Sequence, residues 1–194
     1  MPSPYRGPSG LTSLPELWAF TDPQRTPDVT AYAAGLPAGT GLVYRHFGKA
    51  DREVEAQILA GLARSEGLTL LIAADIALAE AVGAHGVHWP ERLLAQGAQA
   101  RLRHTRLVMT AATHSYLAVD RAWQAGMDAT FLSPLLPSNS PSATHPLGLW
   151  RARSIVGQSR LPVYGLGGLD MKKAKQMKQL GLSGMAMIEA WLER

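Results

Sequence analysis

The stretch "GAHGVHW" (residues 83–89) joins a glycine that ends a helical pattern to a short loop and an apolar strand. The same order of features occurs in "GMDATFL" (126–132) and in "GLSGMAM" (181–187). Glycine commonly closes a helix, and an apolar strand a few residues later is typical of a connection from helix to strand. The recurrence of this pattern along the chain predicts a fold built from repeated βα units.

Apolar segments of strand length occur throughout the chain and alternate with helical patterns. They are too short for helices and too uniformly apolar for half-exposed antiparallel strands, so they favour a parallel sheet that is covered on its faces. The eight predicted strands are Leu17–Thr21, Gly41–Tyr44, Thr69–Ala73, Gly86–Trp89, Leu107–Ala111, Ala129–Leu132, Val163–Leu166 and Gly184–Ile188.

Amphipathic helical patterns fill the intervals between these strands. The pattern over Ala50–Ser65 is predicted to bury one face, and the apolar residues of that face are Val54, Ile58, Leu59 and Leu62. Residues that commonly cap helix N-termini precede three other patterns, and these residues are Asp75, Ser115 and Asp170.

Eight strands that alternate with helices predict a compact (β/α)8 TIM barrel, which is an α/β fold. Only Glu189–Arg194 follows the eighth strand, so we expect the last helix to be truncated. We interpret residues 1–15 as a flexible N-terminal arm and residues 16–194 as a single barrel domain. The arm, or the second subunit of a homodimer, is expected to cover the surface that a missing helix leaves bare. The alternative fold is an open doubly wound sheet, which is disfavoured because no glycine-rich turn follows the first strand.

Composition narrows the classes of function. The chain has no cysteine, which excludes disulfides, thiolate metal ligands and a cysteine nucleophile. The formal net charge is +4, and the densest basic cluster (172–178) spreads its lysines around a helix, so we expect a solvated face and no nucleic-acid partner. No apolar run has the length of a membrane span, so we expect no membrane partner. A cysteine-free chain fits the cytoplasm, which is the location we expect.

Candidate site residues follow the carboxyl ends of the strands, where barrels of this class carry their sites. Arg45 follows the second strand and has a permanent charge suited to an anion, although a surface ion pair would explain it equally. His88 alternates with Val87 on the fourth strand, so it is either a core histidine or a group that faces the site. His114 follows the fifth strand and precedes a helix, so it either belongs to the site or only occupies the helix N-terminus, which disfavours its charged form.

A phosphate-binding region is predicted around the sixth to eighth strands. In "PVYGLGGLD" (162–170), Gly167 and Gly168 either cradle a phosphate with backbone N–H groups or allow tight packing of strand against helix. The long loop 133–149 either offers hydroxyl groups to the phosphate of a small molecule or is a solvated lid without ligand contact. Its hydroxyl residues are Ser138, Ser140, Ser142 and Thr144. No pair of carboxylates suits magnesium, so no metal site is predicted.

An ordered series of segments is shared with one known family. These segments are "LWAFTD", "VYRHFGK", "GAHGVHW", "THSYLAVDRAWQAGMDATFLSPLLPS", "PLGL", "LPVYGLGGLD" and "GLSGMAMIEA". Over roughly residues 17–191 they resemble the thiamine phosphate synthase / TenI family. The resemblance implies a (β/α)8 barrel of thiamine biosynthesis. The synthase couples a pyrimidine pyrophosphate to a thiazole phosphate, and magnesium together with basic residues holds the pyrophosphate.

The resemblance also implies roles for particular residues. The positions that match site residues of the family are Arg45, His88, Ser138, Ser140, Gly168, Ile188 and Glu189. Ile188 and Glu189 occupy the turn after the eighth strand, where a backbone amide and a serine of the family meet phosphate.

The chain departs from the family pattern where metal ligands are expected. Ala73 and Ala74 replace an Asn-Asp pair, and Leu93 replaces a second metal-binding aspartate. Away from the metal positions, Glu189 replaces the serine that meets phosphate. Magnesium is therefore implied by the resemblance while its ligands are missing.

The resemblance leaves three functions open. One is a divergent synthase-like protein that keeps a phosphate-ligand site. The second is proton transfer on a thiazole, as in the TenI branch, with His114 or His88 as the acid/base. The third is a non-catalytic phosphate-ligand binding or regulatory barrel.

Overall fold

The fold is a closed barrel of parallel strands. A computed structural model describes residues 13–138 and 145–191. The strands pair in chain order, and the last pairs with the first. They are β1 (Leu17–Phe20), β2 (Gly41–Tyr44), β3 (Thr69–Ala73), β4 (Gly86–Trp89), β5 (Val108–Thr113), β6 (Ala129–Leu132), β7 (Val163–Leu166) and β8 (Gly184–Met187). The predicted bounds agree except at one end of β1 and β8 and at both ends of β5.

Helices cover the outer face of the barrel. They are α1 (Val29–Ala34), α2 (Arg52–Glu66), α3 (Ile76–Val82), α4 (Leu94–Arg101), α5 (Tyr116–Gln124), α6 (Gly148–Gln158) and α7 (Ala174–Gln179). After β8 the described chain forms only a 3₁₀ turn, Glu189–Trp191. The predicted (β/α)8 TIM barrel is thereby confirmed, and among the described residues no α-helix follows β8. Within the described ranges, no helix combines the length and the apolar character needed to cross a membrane.

Aromatic side chains fill the interior of the barrel. The Phe131 ring centroid lies 5.4 Å from that of Trp18, 4.9 Å from Phe20 and 5.2 Å from Tyr164. These residues alternate along their strands with side chains that face the helices, as the two-residue period of a strand requires. Because the interior is packed, a ligand can enter the barrel only at its open end, at the carboxyl ends of the strands.

The predicted buried face of α2 is partly wrong. Val54 and Ile58 are exposed, whereas Leu59 is buried together with the alanines at positions 56, 60 and 63. The small alanine side chains let the helix axis approach the sheet closely, so the buried face is rotated away from the larger residues. The predicted N-caps Asp75, Ser115 and Asp170 are confirmed, since each side chain accepts a backbone N–H three residues later.

Trp191 packs against residues of β1 and β8. It belongs to the same apolar cluster as Ala19 and Met185, and its indole N–H lies 3.4 Å from the carbonyl oxygen of Trp18. The 3₁₀ turn therefore supplies at least part of the cover over β1 and β8. The predicted contribution of the N-terminal arm or of a second subunit stays a prediction, because residues 1–12 lie outside the described part of the chain.

Close contact between strands at Gly86 gives a first testable prediction. A Cβ at this position would lie 1.9 Å from the carbonyl oxygen of Val108. We expect Gly86→Ala to lower the free energy of unfolding by about 1–3 kcal/mol or more, as overpacked substitutions do. Gly61→Ala is the matched control, because a Cβ there meets nothing within 4 Å and the position is helical. The control should be neutral or stabilising in urea unfolding, and equal stability of the two variants would contradict the account.

Candidate functional site

Arg45 lies at the open end of the barrel, above the aromatic interior. Its Nε donates to the carbonyl oxygen of Thr21 at 2.9 Å, and its guanidinium carbon lies 5.2 Å from the Phe20 ring centroid. About a quarter of the side chain is exposed (26%). Burial lowers the pKa of Arg45, and the neighbouring carboxylate of Asp22 opposes that shift. The structure therefore places this predicted anion ligand at the open end beside Thr21 and Phe20, as a fixed and partly accessible charge.

Arg25 is a site residue that the sequence analysis missed. Its Nη2 lies 2.8 Å from Asp22 Oδ2, and its Nη1 lies 3.8 Å from Glu189 Oε2. Arg45 Nη2 lies 3.8 Å from the same oxygen of Asp22. The signal was present as an acidic and a basic residue three positions apart after the first strand. The closure of the barrel brings this pair beside the turn that follows β8.

His88 faces the interior of the barrel, which resolves the alternative with Val87. Its ring centroid lies 5.2 Å from that of Phe20 and 5.4 Å from that of Phe131. Its Nδ1 lies 3.0 Å from the hydroxyl oxygen of Thr110. Burial, and to a smaller extent the charge of Arg45, lowers the pKa of His88 to about 3. His88 is therefore a neutral hydrogen-bonding group beneath Arg45 at neutral pH.

His114 lies in a different environment from Arg45 and His88. Its Nδ1 lies 2.7 Å from the carbonyl oxygen of Ser133, and its backbone N–H donates to Glu91. Because a carbonyl oxygen only accepts hydrogen bonds, Nδ1 carries the proton in the neutral ring and Nε2 keeps a lone pair. The imidazole is thus oriented as a base.

A groove of about 980 Å³ opens between α4 and α5 and reaches His114. Its lining includes Pro90, Glu91, Ala95, Ala98 and Arg121. Neither Arg45 nor His88 lines it. The described structure therefore brings the predicted residues together in two places, one around Arg45 and His88 and one around His114.

Tight packing explains the two glycines after β7. A Cβ at Gly168 would lie 2.4 Å from the carbonyl oxygen of Pro137, and one at Gly167 would lie 3.1 Å from Pro134. Both residues have positive φ, which is 99° at Gly167 and 66° at Gly168. The loop after β6 also pairs with this turn, since the backbone N–H of Leu136 donates to Gly167. These contacts account for the glycines without a ligand, and their phosphate role stays a prediction.

The remaining phosphate candidates have mixed outcomes. The hydroxyl oxygen of Ser138 is buried and, within the described residues, has no hydrogen-bond partner. Ser140 lies outside the described residues. The carbonyl oxygen of Ile188 accepts from the Tyr32 hydroxyl at 2.8 Å, which ties the turn after β8 to α1. Glu189 stands beside Arg25 on this turn.

Arg52 is a second residue that the sequence analysis missed. Its Nη1 lies 2.8 Å from Asp75 Oδ2, and its Nη2 donates to the carbonyl oxygen of Ala73 at 2.8 Å. The guanidinium therefore lies at the end of β3, where Ala73 and Ala74 replace the metal-binding pair implied by the resemblance. No group of three or more residues of the kinds that bind metal ions is found among the described residues.

The fold and the residues at the open end show that this protein is a (β/α)8 barrel with polar residues at the carboxyl ends of its strands. A profile of the thiamine monophosphate synthase family matches residues 18–191. The chain therefore belongs to this family.

Individual relatives are also similar to the chain. A putative thiamine-phosphate synthase 2 of Aquifex aeolicus is 30% identical over 185 residues, which covers 93% of this chain and 99% of the relative. The thiamine-phosphate synthase of Alcanivorax borkumensis is 29% identical over 93% of this chain and 86% of its own length.

A solved structure agrees with the fold. The thiamine phosphate pyrophosphorylase of Pyrococcus furiosus superimposes with a TM-score of 0.76 at 23% identity, covering 90% of this chain and 86% of that one. At this identity the likeness supports the fold alone.

The burial of His88 predicts a pH dependence of stability. Its pKa is about 3 when folded against an ordinary value of 6.5, so between these values the unfolded chain binds a proton that the folded chain does not. Stability is therefore lost as pH falls below about 6.5. We expect the stability of wild type relative to His88→Gln to fall by about 1.4 kcal/mol per pH unit in this window. Urea unfolding at pH 7.5, 5.5 and 4.5 measures it, and parallel pH curves for the two proteins would contradict the assignment.

Proposed function

We propose that this protein acts in thiamine biosynthesis as a divergent synthase-like barrel that binds a small phosphorylated heterocycle at its open end. Membership of the thiamine monophosphate synthase family supports the pathway. The names of the relatives support thiamine phosphate chemistry as the reaction class. The observation that carries the ligand proposal is the guanidinium of Arg45, fixed above the packed interior.

The position of Arg45 favours an anionic ligand. Only its Nε has a close hydrogen-bond acceptor in the described structure, the carbonyl oxygen of Thr21. The nearest carboxylate oxygen, on Asp22, is 3.8 Å from Nη2, beyond the range of a good hydrogen bond. A partly buried charge without a close partner is costly, and a phosphate that meets the planar guanidinium in a bidentate manner would relieve that cost.

His88 adds an uncharged imidazole ring beneath Arg45. A second cation would strengthen anion binding, but burial keeps His88 uncharged at neutral pH. Its ring instead contributes an apolar face and a hydrogen-bonding edge beneath Arg45. A heterocycle with a phosphate tail fits these two features, because the ring can meet the aromatic interior while the phosphate stays near Arg45.

Calorimetric titration with thiazole phosphate tests this proposal. We expect saturable binding to the wild-type protein and a loss of affinity of about 10–100-fold in Arg45→Gln, since a hydrogen bond to a charged group is worth about 1.5–3 kcal/mol. Arg103→Gln removes an exposed arginine of the surface as the control and should bind like wild type. If the folded wild-type protein binds neither thiazole phosphate nor the pyrimidine pyrophosphate, both the proposed ligand class and the proposed role in thiamine biosynthesis are wrong.

A second candidate function is proton transfer on the heterocycle. The hydrogen bond from His114 Nδ1 to Ser133 favours it, because this bond leaves Nε2 as a positioned base. The reaction would move a proton between two atoms of a thiazole ring and would need no leaving group.

Tautomerisation assays separate this candidate from the first. If it operates, we expect His114→Asn to lower the rate by about 10²–10⁴-fold, the usual contribution of a general base, with ligand affinity retained. His104→Asn changes a histidine that pairs with Glu80 on the surface and serves as the control. An unchanged rate in His114→Asn would exclude the role of His114. Ligand binding without turnover in any assay would favour the non-catalytic alternative.

A further inference from the structure

The acidic side chains that closely follow the strands are paired with cations. Asp75 lies 2.8 Å from Arg52, and Glu91 lies 2.8 Å from Arg121. Asp170 pairs with Lys173. Asp22 and Glu189 share Arg25, at 2.8 Å and 3.8 Å. Several of these carboxylates also accept backbone N–H groups, as Asp75 does from Leu78 and Asp22 from Gln24 and Arg25. In the described structure, carboxylate oxygens at the open end thus already interact with cationic side chains or backbone N–H groups.

This arrangement does not fit the magnesium ion that the family resemblance implies. Magnesium is held in near-octahedral geometry by one or two carboxylates together with waters and phosphates. The positions expected to supply the carboxylates are Ala74 and Leu93. The neighbouring acid, Asp75, is committed through one oxygen to Arg52 and through the other to the N-terminus of α3. A metal there would have to break an ion pair and a helix cap.

Two guanidinium groups near the same end retain hydrogen-bonding capacity. Arg45 uses Nε for Thr21 and has its Nη2 at 3.8 Å from Asp22. Arg25 uses Nη2 for Asp22 and has its Nη1 at 3.8 Å from Glu189. Arg25 and Arg45 approach the same oxygen of Asp22, so they face one region between β1, β2 and β8. Planar guanidinium groups match phosphate oxygens in pairs.

Glu189 is the weakly held member of this cluster. Its side chain is 48% exposed, and its contact with Arg25, at 3.8 Å, is too long for a strong hydrogen bond. A phosphate carries more charge and can approach a guanidinium at about 2.7–2.9 Å. A ligand phosphate can therefore take the place of Glu189 at Arg25, while the Glu189 side chain rotates away toward solvent.

We propose that Arg25 and Arg45 together hold the anionic group of the ligand without a divalent cation, and that Glu189 competes with the ligand for Arg25. The proposal rests on the proposed function only in placing a ligand at this end of the barrel. Arg25 and Glu189 set the affinity and the choice of anion. Asp22 holds Arg25 in place and is not displaced, and the carbonyl oxygen of Thr21 holds Arg45.

Calorimetry with inorganic phosphate and inorganic pyrophosphate tests the metal independence. We expect both anions to bind in EDTA, and we expect magnesium to leave the affinity for phosphate unchanged within about twofold. In buffer without EDTA, manganese titrated into protein with phosphate should give no protein-bound signal in electron paramagnetic resonance. Anion binding that requires magnesium, or a bound manganese signal, would overturn the proposal. Absence of anion binding to the folded protein would overturn it as well.

Substitutions test the competition. We expect Glu189→Gln to raise the affinity for pyrophosphate about 3–10-fold, and Arg25→Gln to lower it about tenfold or more. Glu80→Gln, which removes an exposed carboxylate elsewhere, should bind like wild type. If Arg25→Gln fails to fold, Arg25→Lys keeps the charge and should show a smaller loss of affinity. An affinity in Glu189→Gln equal to that of wild type would overturn the competition.

The outcomes separate this proposal from the proposed function. If thiazole phosphate binds only with magnesium, the proposed function stands and metal independence fails. If inorganic pyrophosphate binds in EDTA while no thiamine precursor binds, the anion site stands and the proposed function fails.

Discussion

The closure of the barrel by the pairing of β8 with β1 is the constraint on which the rest of the structure depends. Closure at eight strands leaves an interior that side chains can fill, and here Trp18, Phe20, Phe131 and Tyr164 fill it. The same pairing places the turn after β8 beside the loop after β1. Arg25 and Glu189, which are 164 positions apart, meet for this reason. The electrostatics of the open end follow from the topology.

The charged residues of the open end have two kinds of role. Arg52 joins α2 to the end of β3 and to the cap of α3 through its two terminal nitrogens, so its charge has a structural role in the described chain. Arg45 and Arg25 keep unused donors. Arg25 pairs with Asp22, and Arg45 donates through Nε to the carbonyl oxygen of Thr21. Between them, a phosphate would complete an arrangement that the protein leaves incomplete. The proposed anion site rests on this division, with arginines in place of the metal that the resemblance implies.

Much of the fold could be predicted from the sequence, because each short apolar strand is bounded by turn residues and the order of the units fixes the topology. The capping roles of Asp75, Ser115 and Asp170 were also predictable, since a cap is a local interaction. The buried face of α2 was not, because alanines rather than Val54 and Ile58 make the close contacts with the sheet. Of the site, Arg45 and His88 were found as single residues. The partnership of Arg25 with Glu189 was missed because it depends on which strand ends become neighbours.

Of the two roles predicted for the glycines after β7, the structure supports tight packing. Their positive φ and the contact with Pro137 give them a packing role that holds the loop after β6 against this turn.

The most direct test of the account is a crystal structure grown with thiazole phosphate in EDTA. The account predicts the phosphate within hydrogen-bond distance of Arg45 and Arg25, with Glu189 turned away. A phosphate bound in the groove beside His114, or one seen only when magnesium is supplied, would contradict it.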